Sequence, residues 1–439
     1  MNKLLEVREY DTIIKNENYK DYGNYKYLEK KMFDDLSRFI HEFTADEENS
    51  DAIEFMRIGC KRNIGDVICI RNYVGLIQMK NGFQIQILPK IDFGEPEDGN
   101  QKTKKVFLKM LRSLKSFPSK VFNDASLKVD KMNLYEVFIN MYLQEVRHLV
   151  KRGIRSDYVI KEENQCYYKG KLMVGKHTRV NLTHKERFFI SYDDFNPNGP
   201  ENRLVKATLL RLHKLSTSAE NKKEIMQLLT AFELVDISIN YEKDFSKVVI
   251  NRNTKNYEKL MLWSKVFLMN KSFTTFTGTT NTKALLFPME SVYESYVAQQ
   301  IKKIFSSFGW YISIQDKGYY LFIKPKKQFA LKPDIVIRKG ERTIVLDTKW
   351  KRLVNNERIN YGISQADMYQ MYAYSKKYNT PEVWLLYPIN DDIRNYSDII
   401  FISDDGVKVR LFFVDVANIE ESLLMLSSLI NDSEENKNV

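Results

Sequence analysis

At 439 residues the chain exceeds what one hydrophobic core usually serves, so two or three domains are expected. Apolar residues make up 43% of it, with no run long enough to cross a bilayer, and acids in the first nine residues break any secretory leader; a cytoplasmic location is the expectation. The net charge of +11 favours a polyanionic partner, while three scattered cysteines, Cys60, Cys69 and Cys166, argue against a disulfide framework or a zinc site.

From the N-terminus, residues 1–98 read as a β-rich domain, with strand signals at 67–70 and 82–88. Pro89 and the acidic, Gly-containing stretch 92–100 follow as the best linker. Residues 101–284 read as a mainly helical middle domain, with helical patterns at 104–114, 134–152, 201–215, 222–232 and 257–268 and a strand-like interruption at 154–183. Residues 285–439 read as an α/β domain with a mixed central sheet, and the polar tail 432–439 as frayed. The whole is a multidomain α+β chain. Bases cluster at 102–109, 151–155, 169–187 and 324–332; the first three fit an ordinary solvated surface, while the last immediately precedes the 332–350 stretch, where phosphate contacts would be useful.

Two patterns promise chemistry that the residues do not support. Gly170–His177 nearly spells a phosphate-binding loop, but His177 stands where a Ser or Thr hydroxyl is needed, so no nucleotide is expected on this chain. The five histidines are dispersed, without metal-ligand spacing.

The stronger signal lies at 332–350. Two β-branched runs flank Gly340-Glu341, a good two-residue primed turn because Gly tolerates positive φ. That turn sets Asp334 opposite Asp347, with Cβ atoms roughly 5 Å apart on one face. Two ionised carboxylates so placed need a cation between them or a raised pKa on one. Lys349 projects from the same face, while Ile335, Ile337, Leu346 and Trp350 alternate onto the other, so one face reads as core and the other as polar. A solvated sheet edge fits that pattern too.

Upstream, residues 287–305 read as a helix with Pro288 before its first turn and Glu294 among Tyr293, Tyr296 and Val297, where an unpaired carboxylate is costly. Glu290 is the alternative acid, more simply a helix-dipole partner. Downstream, 363–375 reads as a helix starting near Ser364, with Gln370 and Tyr374 four apart; Gln365 and Tyr369 have the same spacing. Apolar strands follow at 382–387, 398–403 and 407–415.

Pro333-Asp334 and Asp347-Thr348-Lys349 resemble the motif of the PD-(D/E)xK nuclease superfamily. The resemblance implies Mg²⁺ held by Asp334 and Asp347, Glu294 as a further ligand or water orienter, Lys349 as partner of the water and transition state, and Gln370 with Tyr374 in support of DNA contact. Tyr168–Leu172, Phe188–Phe195 and Glu201–Ala207, together with 331–351 and 363–374, further resemble the McrC family. That likeness implies the DNA-cleaving subunit of a modification-dependent restriction system, joined to a hexameric AAA+ GTPase, McrB, which reads methylated cytosine and which McrC stimulates. The N-terminal part would dock on the motor and the C-terminal domain would cut double-stranded DNA. A related system reading an unmodified site, and a non-catalytic adaptor that activates the motor, are the alternatives.

Overall fold

Short alternating segments between turn residues open the chain: β1 (Leu4–Arg8), β2 (Thr12–Ile14) and β3 (Tyr25–Tyr27), then helix α1 (Lys30–Thr44). β4 (Met56–Lys61), β5 (Gly65–Ile70), β6 (Tyr73–Gln78) and β7 (Gln84–Leu88) follow, ahead of α2 (Gly99–Leu111). The structure is a computed structural model that describes residues 4–20, 22–44, 56–79, 82–91, 99–114, 133–269, 283–393 and 399–435. β5 contains the expected strand 67–70 and β7 most of 82–88; most of the expected linker, 92–98, lies outside the described residues. One four-stranded sheet runs β3-β2-β5-β4. Ile13, Ile14, Val67, Ile68 and Ile70 are buried in it, and α1 buries Phe33, Leu36, Phe39 and Ile40.

The chain forms two compact units, one made of Met1–Phe117 with Thr274–Val439, the other of Pro118–Phe273. In the second, α3 (Leu134–Arg152) begins where the Asn133 side chain accepts from Glu136 N–H, and ends at Gly153, with φ of 89°. β8 (Asp157–Gln165), β9 (Lys171–Leu172), α4 (Val174–Val180) and β10 (Phe188–Asn196) replace the expected strand-like interruption, in a sheet ordered β8-β10-β9. A Cβ at Gly170 would fall 2.4 Å from Ser191 O, so this glycine serves close strand approach. Helices α5 (Pro200–Leu215), α6 (Ala219–Leu229), α7 (Tyr241–Lys247) and α8 (Glu258–Met269) complete the unit. Its core holds Trp263 stacked on Phe267 at 5.5 Å, and buried Glu136 accepts from Ser216 Oγ and Asn221 Nδ2.

The first unit resumes with β11 (Lys283–Pro288), α9 (Met289–Ser307), β12 (Tyr311–Ile314), β13 (Tyr320–Phe322), β14 (Gln328–Ala330), β15 (Ile335–Lys339) and β16 (Arg342–Thr348). α10 (Gln365–Tyr378), β17 (Glu382–Pro388), β18 (Ile400–Ile402), β19 (Lys408–Val414) and α11 (Ile419–Glu435) end it. β11 pairs antiparallel with β6, giving a sheet β1-β7-β6-β11. That pairing differs from the three consecutive parts read from sequence, since segments from both ends of the chain share one sheet and one unit. It depends on Gly75: at φ of 137°, a Cβ there would lie 2.0 Å from Leu285 O.

The mixed six-stranded sheet runs β12-β15-β16-β17-β19-β18, with β16 antiparallel to β15 and parallel to β17. Both faces of its centre are buried, not one as alternation suggested. Val336 and Val345 pack with Met371 and Tyr374 of α10, and Ile335, Ile337, Ile344 and Leu346 are equally buried. α9 packs against β12, β16 and α11. The reason is position: the hairpin is central, flanked by β12 and β17, and is no solvated edge. Polar chemistry therefore concentrates at the strand ends, where parallel sheets usually bind ligands.

Candidate functional site

Gly340 adopts φ of 59°, and pairing from Lys339↔Arg342 to Ile335↔Leu346 leaves Asp334 at the mouth of the hairpin opposite Asp347. Asp334 Oδ2 accepts two hydrogen bonds from Thr348, from its N–H at 2.7 Å and its Oγ1 at 2.6 Å. Asp347 is 1% exposed, and its Oδ2 lies 2.7 Å from Lys349 Nζ. Burial and then the Glu294 charge push Asp334 up to about 6; burial and then the Asp334 charge push Asp347 up to about 7. Burial opposes the Lys349 charge, but the carboxylates of Asp347, Asp334 and Asp367 together outweigh it and raise the ammonium pKa.

Lys349 Nζ donates to Gln370 Oε1 at 3.2 Å, and Gln370 Nε2 donates to Tyr374 OH at 2.7 Å. α10 is aimed by Ser364, whose side chain caps Asp367 N–H. Gln365 and Tyr369 also hydrogen-bond, at 2.6 Å, but Tyr369 is 66% exposed. Residues five apart on a helix are turned by about 140°, which is why only one of the equally spaced pairs reaches the lysine.

Of the two acids on α9, Glu294 accepts from Gln315 Nε2 at 2.9 Å and bears electrostatically on Asp334. Glu290 instead bears on Glu9 and Tyr10.

The profile described as "McrBC 5-methylcytosine restriction system component" matches residues 68–388. The chain belongs to this McrBC family. It resembles a chain of the refined half-complex from the tetradecameric assembly of Thermococcus gammatolerans McrB AAA+ hexamers with bound McrC. The TM-score is 0.71 at 20% identity, covering 96% of this chain and 100% of that one. A chain of the cryo-EM structure of the Thermococcus gammatolerans McrBC complex gives a TM-score of 0.50 at 20% identity, covering 69% of this chain and 87% of that one. At such identity the likeness is one of fold. No curated protein matches.

In this McrBC-family chain the oxygen donors suit a hard divalent cation. Asp347 Oδ2 is buried against the Lys349 ammonium, 2.7 Å away, and it shares the site with a second carboxylate that burial also disfavours as an anion. Among the described residues no three acidic, His or Cys side chains are gathered closely enough to hold an ion. Two carboxylates suffice for Mg²⁺ where substrate phosphate and water complete the shell.

Sequence reasoning passed over three groups. Thr348 lies inside the motif and its hydroxyl fixes Asp334. Burial works to raise the Asp367 carboxyl, but Lys351, which donates to it from Nζ at 2.8 Å, together with Ser364 and Lys349 holds it below the ordinary value. Glu9, fully buried, accepts from Trp350 Nε1 at 3.2 and 3.1 Å and from Lys90 N–H at 3.2 Å, while burial pushes it up to about 7. Flanked by Arg8 and Tyr10 just past the end of β1, it carried no local signal in the sequence. No helix of the described residues is long and apolar enough to cross a membrane.

Proposed function

We propose that this chain is the DNA endonuclease subunit of a McrBC-type, modification-dependent restriction system, cutting double-stranded DNA with Mg²⁺ beside an McrB-like AAA+ GTPase hexamer that it stimulates. The observation that carries the reading is the buried pair Asp334 and Asp347 at the mouth of a central hairpin, with Lys349 held between Asp347 and Gln370. The order α9, β12, β15–β16, α10, β17 supports a PD-(D/E)xK nuclease fold. Family membership and the likeness to a chain from an assembly of McrB hexamers with bound McrC support the partner, with residues 1–98 as the docking part.

Asp334 and Asp347 would hold Mg²⁺, which when bound polarises the scissile phosphate and lowers the pKa of water. Thr348 fixes the plane of the Asp334 carboxylate through two donors. Lys349, steered by Gln370 and Tyr374, presents its ammonium to the negative charge that grows on the phosphoryl oxygens. Glu294, tied to Gln315, orients the attacking water.

The test is Asp347→Ala in the full chain assembled with its motor. Cutting is expected to vanish while assembly and GTPase stimulation persist. Cutting by the purified variant overturns the proposal, and a wild-type complex that stimulates the motor but never cuts favours the adaptor reading.

A further inference from the structure

Between β12 and the hairpin with Asp334, residues 317–333 contain five lysines and no carboxylate. Their centre is the two-stranded sheet β13–β14, registered Tyr320↔Ala330 and Phe322↔Gln328. Lys324, Lys326 and Lys327 crowd its exposed tip, and among the described residues none of them is in an ion pair. Beside them Phe322, Ile323 and Phe329 are 55%, 67% and 68% exposed. Soluble surfaces seldom gather apolar side chains and uncompensated charge of one sign on a small projection without a partner that needs both.

The projection is anchored at its base. Leu331 N–H donates to Tyr319 O at 2.9 Å, and Phe322 meets Phe329 edge-on at 5.9 Å. Tyr319 packs on Tyr378 at 4.4 Å, and Tyr378 meets Tyr374 at 6.5 Å. Tyr374 is the residue whose hydroxyl accepts from Gln370, the acceptor for Lys349. An aromatic chain thus links the base of the projection to the site's lysine.

We propose that the β13–β14 hairpin grips duplex DNA immediately beside the cut. Its lysines contact phosphates, and its apolar side chains lie against the sugar edges of the groove. Charge complementarity selects the partner, and position selects the place on it. Four residue-to-residue steps lead from Ala330 to Asp334, a span of at most about 14 Å. At about 3.4 Å per nucleotide, the base of the hairpin reaches phosphates within about four nucleotides of the scissile one. A two-stranded β-ribbon is a shape that DNA grooves accept. The inference rests on the nuclease reading and deepens it.

The experiment compares the full wild-type chain, Lys324→Ala/Lys326→Ala/Lys327→Ala, and the charge-preserving triple arginine variant, on a duplex in Ca²⁺ across a salt series. The alanine variant is expected to lose at least tenfold in affinity, with a salt slope shallower by about two to three. The arginine variant is expected to keep wild-type binding, which separates lost charge from lost folding. Unchanged affinity and slope in the alanine variant overturn the proposal. So does wild-type binding that ignores salt, or loss of motor assembly with DNA affinity intact, which would assign the projection to a protein. A separate cleavage assay of Asp347→Ala in Mg²⁺, assembled with the motor, distinguishes the two readings: if it still cuts, the nuclease assignment fails while the hairpin result stands on its own.

Discussion

Asp347→Asn should make the metal-free protein more stable while abolishing cutting. The folded protein raises the Asp347 carboxyl from 3.8 to about 7, by burial first and by Asp334 second. A pKa raised on folding means that the native state binds more protons than the unfolded chain. Stability from this group is therefore complete below about pH 4 and is lost as pH climbs to about 7. A rise of that size corresponds to about 4 kcal/mol against the ionised form at pH 8. Asn removes that penalty but strips Lys349 of a contact at 2.7 Å, so a net gain of about 1–3 kcal/mol is expected. The gain should grow by about 2–3 kcal/mol between pH 5 and pH 8, because the wild-type acid ionises over that range. Urea unfolding in EDTA at both pH values reads it directly. Added Mg²⁺ should stabilise the wild type at pH 8 and leave the variant unmoved. An Asn variant less stable at pH 8, or a difference that ignores pH, would refute the idea that the site stores repulsion for a cation to relieve.

Lys349→Met should cut single-turnover cleavage by about 10²–10³ with DNA affinity little changed, and Tyr374→Phe, acting only through Gln370, by about tenfold. Glu294→Gln should slow cleavage at least tenfold, whereas Glu290→Gln should leave the rate within about twofold, since its charge bears on Glu9 instead. Equal losses from both would remove the distinction between the two acids. Gly75→Ala should cost about 3 kcal/mol or more in denaturant unfolding, because its Cβ has no room beside Leu285 O. A stability close to wild type would mean that β6 and β11 pair less tightly than their register implies.

Local signals were legible where a short stretch of chain determines its own geometry. The Gly340 turn fixed the register of β15 and β16, and with it the meeting of Asp334 and Asp347. The helix expected at 134–152 appears with those bounds because Asn133 and Gly153 mark both ends. Among two equally spaced Gln and Tyr pairs, sequence could not choose; the choice depends on how α10 is rotated against β16. Pairing across distant segments was invisible for the same reason. Nothing local in residues 283–288 names β6 as their neighbour, and nothing near Trp350 names Glu9. The β13–β14 projection left only its lysine run in the sequence, since irregular, partly exposed strands lack a clean alternation.

The hydrogen bond between Glu9 and Trp350 spans 341 residues, and the indole belongs to the residue directly after Lys349. Glu9, made early, must therefore wait for the ribosome to reach Trp350 before the neighbourhood of that lysine can close. A chain that lacks the first strand keeps Lys349 but loses the carboxylate that holds its neighbouring indole.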